Sequence, residues 1–506
     1  MTDAHTASTA ASRPARLLRG ARLTGSGLLA ALSLGPWGWW PLAVIGLAVL
    51  YVELRPMADW RRRLTTAWTF LVGYHLLALV WMVDLTAPGF VVSIPILSVI
   101  MAAPLAVPTR PVAAPVALPA ALMLGDAWSW VIPFGGVPMG NLALGQVNGP
   151  LLVVARAGGP LAVVLCVGLL AAALGEVARS ARDRELPGPA ALGPAGLVLL
   201  AVAAGVAAPA GTVVGTQTVS TVQGGGRLGT NAVNSDLGSV YERHLEATSQ
   251  VPDGSFVVWP ESAVTVDDDF DGSREQLELS ALAVERQLTF LVGVTQRRED
   301  TADNLAVVIG PDGSVVDEYS KVHLVPFGEY IPLRSVVDPF ADLSLIPREF
   351  IAGEGDGVVD TPIGPVAVGI SFEVYFTERI RSGVNAGGVF VANPTLASSY
   401  RTTHVPEQSL ASARLRAVET GRWVVQSSTT GYTGIVDPDG TVVGRTGLRE
   451  QAVITETIEL REGQTWAMRT GKAPITVAML LIVAVALDAP RERFAAALSR
   501  VRRRRR

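Results

Sequence analysis

At 506 residues the chain is long for one compact unit, since domains commonly run to about 150 residues. Hydrophobic residues make up 49% and charged residues only 17%, and the mean hydropathy of +0.37 departs from soluble usage toward that of integral membrane proteins. The net charge of −4, with no basic stripe carrying interleaved aromatics, excludes a nucleic-acid surface; the dense run Arg502 to Arg506 follows an apolar span and suits an anionic inner leaflet.

Residues 1–19 read as a cytoplasmic tail, rich in Ala, Ser and Thr with arginines near its end. Apolar runs suited to spanning helices, which need about 17 to 25 residues, fall at 20–36, 40–55, 64–83, 88–107, 111–126, 154–176 and 190–209, with an eighth at 472–489. The fifth is short and rich in proline, which spans tolerate where neighbouring helices satisfy the freed backbone. Pro36-Trp37-Gly38-Trp39-Trp40-Pro41 follows the first run where a secretory leader would carry a small-residue cleavage site. The first run is therefore expected to stay as a span, with the aromatic turn at a membrane interface. Cys166, the one cysteine, lies inside the run Pro160 to Leu174 and reads as an apolar packing residue.

Basic residues gather in alternate connections: Arg13 to Arg22, Arg61 to Arg63, Arg110, Arg179 to Arg184, and the tail 490–506. The turns between them, Trp37 to Trp40, Asp84 to Gly89 and Asp126 to Gly149, are poor in Lys and Arg. Basic loops stay on the cytoplasmic side, so eight spans put both termini in the cytoplasm and residues 211–471 outside. Buried core helices of a soluble protein would have no reason to keep charge in step in this way.

From Gly211 to Gly471 acids, Asn and Gln return and apolar residues come in short runs. Strands are expected at Thr216 to Val222, Ser255 to Trp259, Leu288 to Val294, Leu305 to Ile309, Val366 to Ile370, Gly388 to Ala392 and Trp423 to Gln426. Helical patterns lie at Asn234 to Ser249, Arg274 to Arg286 and Pro406 to Arg422, and Pro-Asp-Gly at Pro311 and Pro438 reads as two hairpin turns. Alternating strands and helices with inserted hairpins imply an α/β domain with a mixed sheet, for which an αββα sandwich would fit.

Three segments of this module end apolar runs and present chemistry. Glu261, in Trp259-Pro260-Glu261-Ser262, projects from a sheet edge as a general base whose pKa Trp259 would raise. Lys321, after the acidic pair Asp317-Glu318, is a fixed cation able to stabilise a thiolate or an oxyanion. Ser371, in Gly369-Ile370-Ser371-Phe372-Glu373, occupies a strand-to-helix elbow where the Phe372 N–H could join an oxyanion hole, although G-x-S-x-E is only a near match to hydrolase elbows. His323, two residues from Lys321 on the same strand face, reads as structural. The five histidines form no metal-binding pattern, and no metal or cofactor is expected.

These residues resemble the apolipoprotein N-acyltransferases, membrane members of the nitrilase superfamily. The resemblance runs through Pro36 to Ala43, Val222-Gln223-Gly224, Trp259 to Ser262, Ser320-Lys321 with Leu324 to Tyr330, and Arg414 to Glu419 with Gly421-Arg422. It implies that the nucleophile takes an acyl chain from a membrane phospholipid and passes it to the α-amine of the diacylglyceryl-cysteine of a lipoprotein. It further implies Glu261 as base, Lys321 as oxyanion partner, Ser371 at the position of the family's nucleophilic cysteine, and Glu329, Phe372 and Glu373 as supporting residues. The serine is the departure, and it keeps a non-catalytic lipid- or lipoprotein-binding paralogue open as the alternative.

Overall fold

The computed structural model describes residues 13–227, 237–337, 348–397, 400 and 403–484. Most of the expected N-terminal tail, the end of the eighth apolar run and the basic C-terminal tail lie outside them.

The first seven apolar runs all carry helices: α1 (Arg13–Ala31), α2 (Pro41–Leu54), α3 (Trp60–Ala78), α4 (Ala87–Leu105), α5 (Ala114–Ser129), α6 (Ala155–Asp183) and α7 (Pro189–Ala207). Ala87–Leu105, Pro150–Asp183 and Pro189–Ala207 are long and apolar enough to cross a membrane, while Pro41–Leu54 and Ala473–Ala484 are apolar but shorter. Without water to drive helices together, close backbone approach must hold such a bundle. Helices α1 and α3 cross on paired glycines, where a Cβ at Gly27 would lie 1.9 Å from the Phe70 carbonyl oxygen and one at Gly73 would lie 2.1 Å from that of Thr24. The outward faces stay apolar, with Leu199 and Leu200 on α7 at 71% and 67% exposure, as a lipid-facing surface requires. At the end of the bundle that carries the basic connections, buried Arg63 donates to the carbonyls of Leu54, Met57 and Leu105 and so joins α2, α3 and α4.

The sandwich domain contains β1 (Thr212–Gln223), α8 (Leu237–Thr248), β2 (Phe256–Val258), β3 (Val264–Asp267), α9 (Arg274–Arg286), β4 (Thr289–Arg297), β5 (Thr301–Ile309), β6 (Val315–Ser320), α10 (Arg334–Val337), β7 (Glu349–Phe350), β8 (Val358–Val359) and β9 (Val366–Val368). It continues with α11 (Thr377–Asn385), β10 (Val391–Thr395), α12 (His404–Thr420), β11 (Val424–Ser428), β12 (Gly434–Val436), β13 (Val442–Arg445), β14 (Ala452–Glu462) and α13 (Trp466–Thr470). Among the described residues one sheet runs β14-β1-β2-β4-β5-β6 with β3 beside β4 and β7 beside β5, and the second runs β13-β12-β11-β10-β9-β8.

The period of two along each strand separates the layers. Phe256 and Val258 face the core between the sheets with Leu291, Val366, Val368 and Ile370, whereas Val257, Trp259, Phe290 and Val292 face outward with residues of α8 and α9. On the far side Ala367 and Val391 meet α11 and α12. The layers are helices, sheet, sheet, helices, the expected αββα sandwich. Both Pro-Asp-Gly segments turn hairpins, one between β5 and β6 and the other between β12 and β13.

Helix α12 has no solvent face to spare: Leu410, Ala413 and Ala417 pack on the second sheet, and Ala411, Leu415 and Val418 pack on the membrane bundle. Val374, Tyr375 and Phe376, just after Ser371, join that same bundle core. The sandwich therefore stands on the helices at the segment that carries its candidate nucleophile.

Candidate active site

Glu261 lies past the C-terminal end of β2, an interior strand, so it projects from a strand end and not from a sheet edge as the sequence suggested. The chain turns sharply there, and Ser262 takes φ 55°. Gly293 on β4 makes the turn possible, because a Cβ there would sit 2.2 Å from the Pro260 oxygen and 2.6 Å from the Glu261 Cα.

Lys321 follows β6 directly, with its N–H on the Asn304 carbonyl at 2.9 Å. Its ammonium lies 2.9 Å from Glu261 Oε1 and 2.8 Å from Glu329 Oε1, with the lysine side chain only 1% exposed. Asn304 Nδ2 donates to the same two oxygens at 2.7 and 3.0 Å, and Glu329 Oε2 accepts from the Val325 N–H at 2.6 Å. Burial alone would lower the Lys321 pKa, but Glu261 and Glu329 outweigh it and hold the amine above its ordinary value. Burial pushes the Glu329 carboxyl up, with Lys321 opposing and Glu261 adding to the rise.

Ser371 opens a short 3-10 turn, Ser371–Tyr375, after β9, and it too has φ 55°. Its Oγ accepts from Thr395 Oγ1 at 3.2 Å. Glu373 fastens this elbow to the Lys321 segment: Oε1 accepts from Tyr319 Oη at 2.8 Å and from the N–H groups of Val322 and His323 at 2.9 and 3.0 Å, and Oε2 accepts from the Ile370 N–H at 2.9 Å. Burial raises the Glu373 pKa against those hydrogen bonds. Phe372 packs edge-on to Phe376 at 5.0 Å. Ser262, Phe327 and Ser371 are all non-glycine residues in the left-handed region, next to Glu261, Glu329 and the elbow. Strain of about 1–3 kcal/mol at each persists only where surrounding structure over-determines it, and it gathers at sites of function.

The geometry brings Glu261, Lys321 and Glu329 into one buried cluster and ties Ser371 to it through Glu373. Two expectations change. Trp259 does not cover Glu261: its indole donates to Thr248 Oγ1 at 3.0 Å and packs with Tyr241 and Phe290 on the outer side of the sheet. His323 does not share a strand face with Lys321, since β6 ends at Ser320; it stacks on Phe376 at 4.4 Å, and burial with Arg379 nearby lowers its pKa. Asn304 was missed, and its one signal was an amide just before the apolar run of β5. Tyr400 was missed as well. Its ring meets Trp81 at 6.0 Å, and burial and the charge of Glu261 raise its hydroxyl pKa.

The layered sandwich belongs to the carbon-nitrogen hydrolase class, and residues 218–468 match the family model described as carbon-nitrogen hydrolase. Residues 26–173 match the model for the apolipoprotein N-acyltransferase N-terminal domain. The chain is 30% identical to an apolipoprotein N-acyltransferase of Mycolicibacterium smegmatis over 92% of this chain and 83% of that one. It is 28% identical to the apolipoprotein N-acyltransferase of Azotobacter vinelandii over 91% of this chain and 93% of that one. The chain belongs to the apolipoprotein N-acyltransferase family. Among solved structures, an amidase from Nesterenkonia sp. is similar over 53% of this chain and 98% of its own, with 18% identity and a TM-score of 0.37.

Proposed function

We propose that the protein transfers a fatty acyl chain from a membrane phospholipid to the N-terminal amine of S-diacylglyceryl-cysteine on apolipoproteins, through an acyl-enzyme at Ser371. The observation that carries this reading is the buried Glu261–Lys321–Glu329 cluster joined by Glu373 to a strained elbow that rests on the membrane bundle. In the first half-reaction Glu261 takes the Ser371 Oγ proton as Oγ attacks the ester carbonyl carbon. The oxyanion faces the Lys321 ammonium and the Phe372 N–H, and collapse expels a lysophospholipid alkoxide that recovers the proton from Glu261. In the second, the lipoprotein amine attacks the acyl-serine, loses a proton to Glu261, and Ser371 Oγ leaves with that proton.

A hydroxyl must lose its proton in the transition state, whereas a thiol of pKa about 8.5 is partly ionised at neutral pH. Serine therefore forms the acyl-enzyme slowly and passes an oxyester, a poorer acyl donor than a thioester. After incubation with phospholipid, mass spectrometry of the purified protein is expected to find an acyl adduct on Ser371, and Ser371→Cys is expected to raise lipoprotein N-acylation by at least about tenfold. No adduct in the parent and no gain in the variant would leave a lipoprotein-binding role in its place.

The membrane reading extends to eight spans with both termini cytoplasmic and the sandwich outside. It is supported by the position of the basic connections, which lie at the bundle end away from the contacts Trp37–His404, Trp81–Tyr400 and Phe134–Phe327. A reporter fused near Gly313 is expected to signal from outside the cell membrane, and a cytoplasmic signal would sink the topology.

A further inference from the structure

A cleft of about 490 Å³ lies on the seam between bundle and sandwich and shares no residue with the Glu261–Lys321–Ser371 site. Its lining combines Leu152, Val153 and Val418 with Arg156, Arg414 and Asp439. Arg156 stands at the N-terminal end of α6, and α7 runs back to the same end before the chain enters β1, so the cleft sits where the helices meet the sandwich. Elsewhere between 20 and 210 the arginines lie toward the opposite end of the bundle, in connections or in the helices beside them.

Arg156 is 8% exposed, yet among the described residues its Nε has no hydrogen-bond partner. Its Nη2 donates to the Pro438 carbonyl at 2.8 Å and to Asp439 Oδ1 at 2.6 Å. The Asp439 side chain is 77% exposed, so this carboxylate closes the guanidinium from the solvent side and is free to swing away. Arg414 is fixed by the Gly440 carbonyl at 2.7 Å and Asn148 Oδ1 at 2.6 Å. The acids acting on Arg414 are Asp437 and Glu407. Asp437 is committed to the turn N–H groups of Asp439 and Thr441, and Glu407 pairs with Arg445.

We propose that this cleft binds the phosphodiester of a second, non-reacting glycerophospholipid, which replaces the Asp439 carboxylate on Arg156 and reaches Arg414. Planar guanidinium groups suit phosphate oxygens, and a buried donor left unpaired costs stability that an anion restores. The acyl chains run down the apolar outer surface, where Val206, near the end of α7, is 69% exposed. The occupant is a lipid and not a free anion because Leu152, Val153 and Val418 form an apolar wall at the end of spanning helices. A lipid held here braces α12, whose Ser412 Oγ donates to the Val374 carbonyl behind the Ser371 elbow at 2.9 Å.

The proposal rests on the membrane placement and not on the acyl-transfer reading. Its test uses full-length protein in detergent carrying Ser371→Ala, so that no acyl-enzyme is counted. Native mass spectrometry with added 1-palmitoyl-2-oleoyl phosphatidylglycerol reads the number of lipids retained. Arg156→Gln is expected to retain one lipid fewer than the parent, and Asp439→Asn, which removes the competing carboxylate, to reach half occupancy at about tenfold lower lipid. A merely structural pair would weaken retention in both variants. Equal retention in the parent and Arg156→Gln, or weaker retention in Asp439→Asn, overturns the proposal. Displacement by millimolar inorganic phosphate also overturns it and assigns the cleft to a free anion. Should Arg156→Gln not fold, Leu152→Trp fills the cleft without a change in charge and is expected to lose the same lipid; retention there overturns the proposal too.

Discussion

Lys321 with Glu261 and Glu329, and Glu419 with Arg416 and Arg381, are two buried ionic clusters inside one domain, with opposite charge ratios. In the first, two carboxylates surround one ammonium, and their field raises the lysine pKa despite its burial. In the second, Arg416 Nη1 lies 2.5 Å from Glu419 Oε2 and Arg381 Nη2 lies 3.6 Å from Glu419 Oε1. Burial lowers the Arg416 pKa and raises that of Glu419, so desolvation outweighs the pairing there. Their surroundings differ further. Arg416 also donates to Thr377 Oγ1 and Arg381 to the Ala467 carbonyl, so the second cluster joins α11, α12 and α13 from residues within helices. The first sits where β2 and β6 end, beside residues with positive φ. Buried ion pairs are common structural devices; convergence on strained strand ends separates a site of chemistry from a joint.

Five substitutions and a change of pH test that contrast. Lys321→Ala or Glu261→Gln is expected to lower acyl-adduct formation by about 10²- to 10⁴-fold, read by mass spectrometry on folded protein. Adduct formation at parental rate in either variant would break the comparison at its root. Arg416→Ala should cost about 3–5 kcal/mol of stability, because it leaves Glu419 buried with only the more distant Arg381. Thermal unfolding in detergent reads that loss, while adduct per folded molecule stays at the parental level; a drop there would make the second cluster part of the chemistry.

Asn304→Ala removes a donor shared by both carboxylates and should cost about 1–3 kcal/mol. If Asn304 positions Glu261, the adduct rate falls and its pH profile shifts; a purely structural role would lower the melting temperature alone. The smallest effect concerns pH. With its folded pKa raised, Glu329 takes up a proton above the ordinary glutamate value of about 4.3, while Lys321 stays charged, so adduct formation declines as pH falls through that raised value. Stability moves the other way: the contribution of a raised carboxyl is fully present below its unfolded pKa and is lost as pH rises through the folded one. Glu329→Gln removes this titration, so the acidic limb should flatten in that variant. An unmoved limb assigns it to another group.

Strands that cross the middle of a sheet were legible because both their faces are buried, which leaves short apolar runs such as Leu288 to Val294 and Val366 to Ile370. Edge strands left no such run, and β6 was signalled only by the hairpin turn at Pro311. β6 reads Val-Val-Asp-Glu-Tyr-Ser and β14 carries Glu456, Glu459 and Glu462, since among the described residues one side of each pairs with no neighbour and much of each strand faces solvent. The helix Arg274 to Arg286 was predicted to its ends, because Ser273 caps its first turn, with its side chain accepting from the Gln276 N–H.

Apolar length and the alternation of basic loops are local properties, and residue order alone determined where the eight apolar runs fall and which segments could carry a carboxylate, an amine and a nucleophile. Partnership is not local. Glu261 and Lys321 are 60 residues apart, and their ion pair exists because β2 and β6 end together in one sheet. That Asn304 bridges two carboxylates, that Trp259 turns away from Glu261, and that Arg156 meets Asp439 across 283 residues were decided by packing, which alone determines which strand ends and which helix ends share a space.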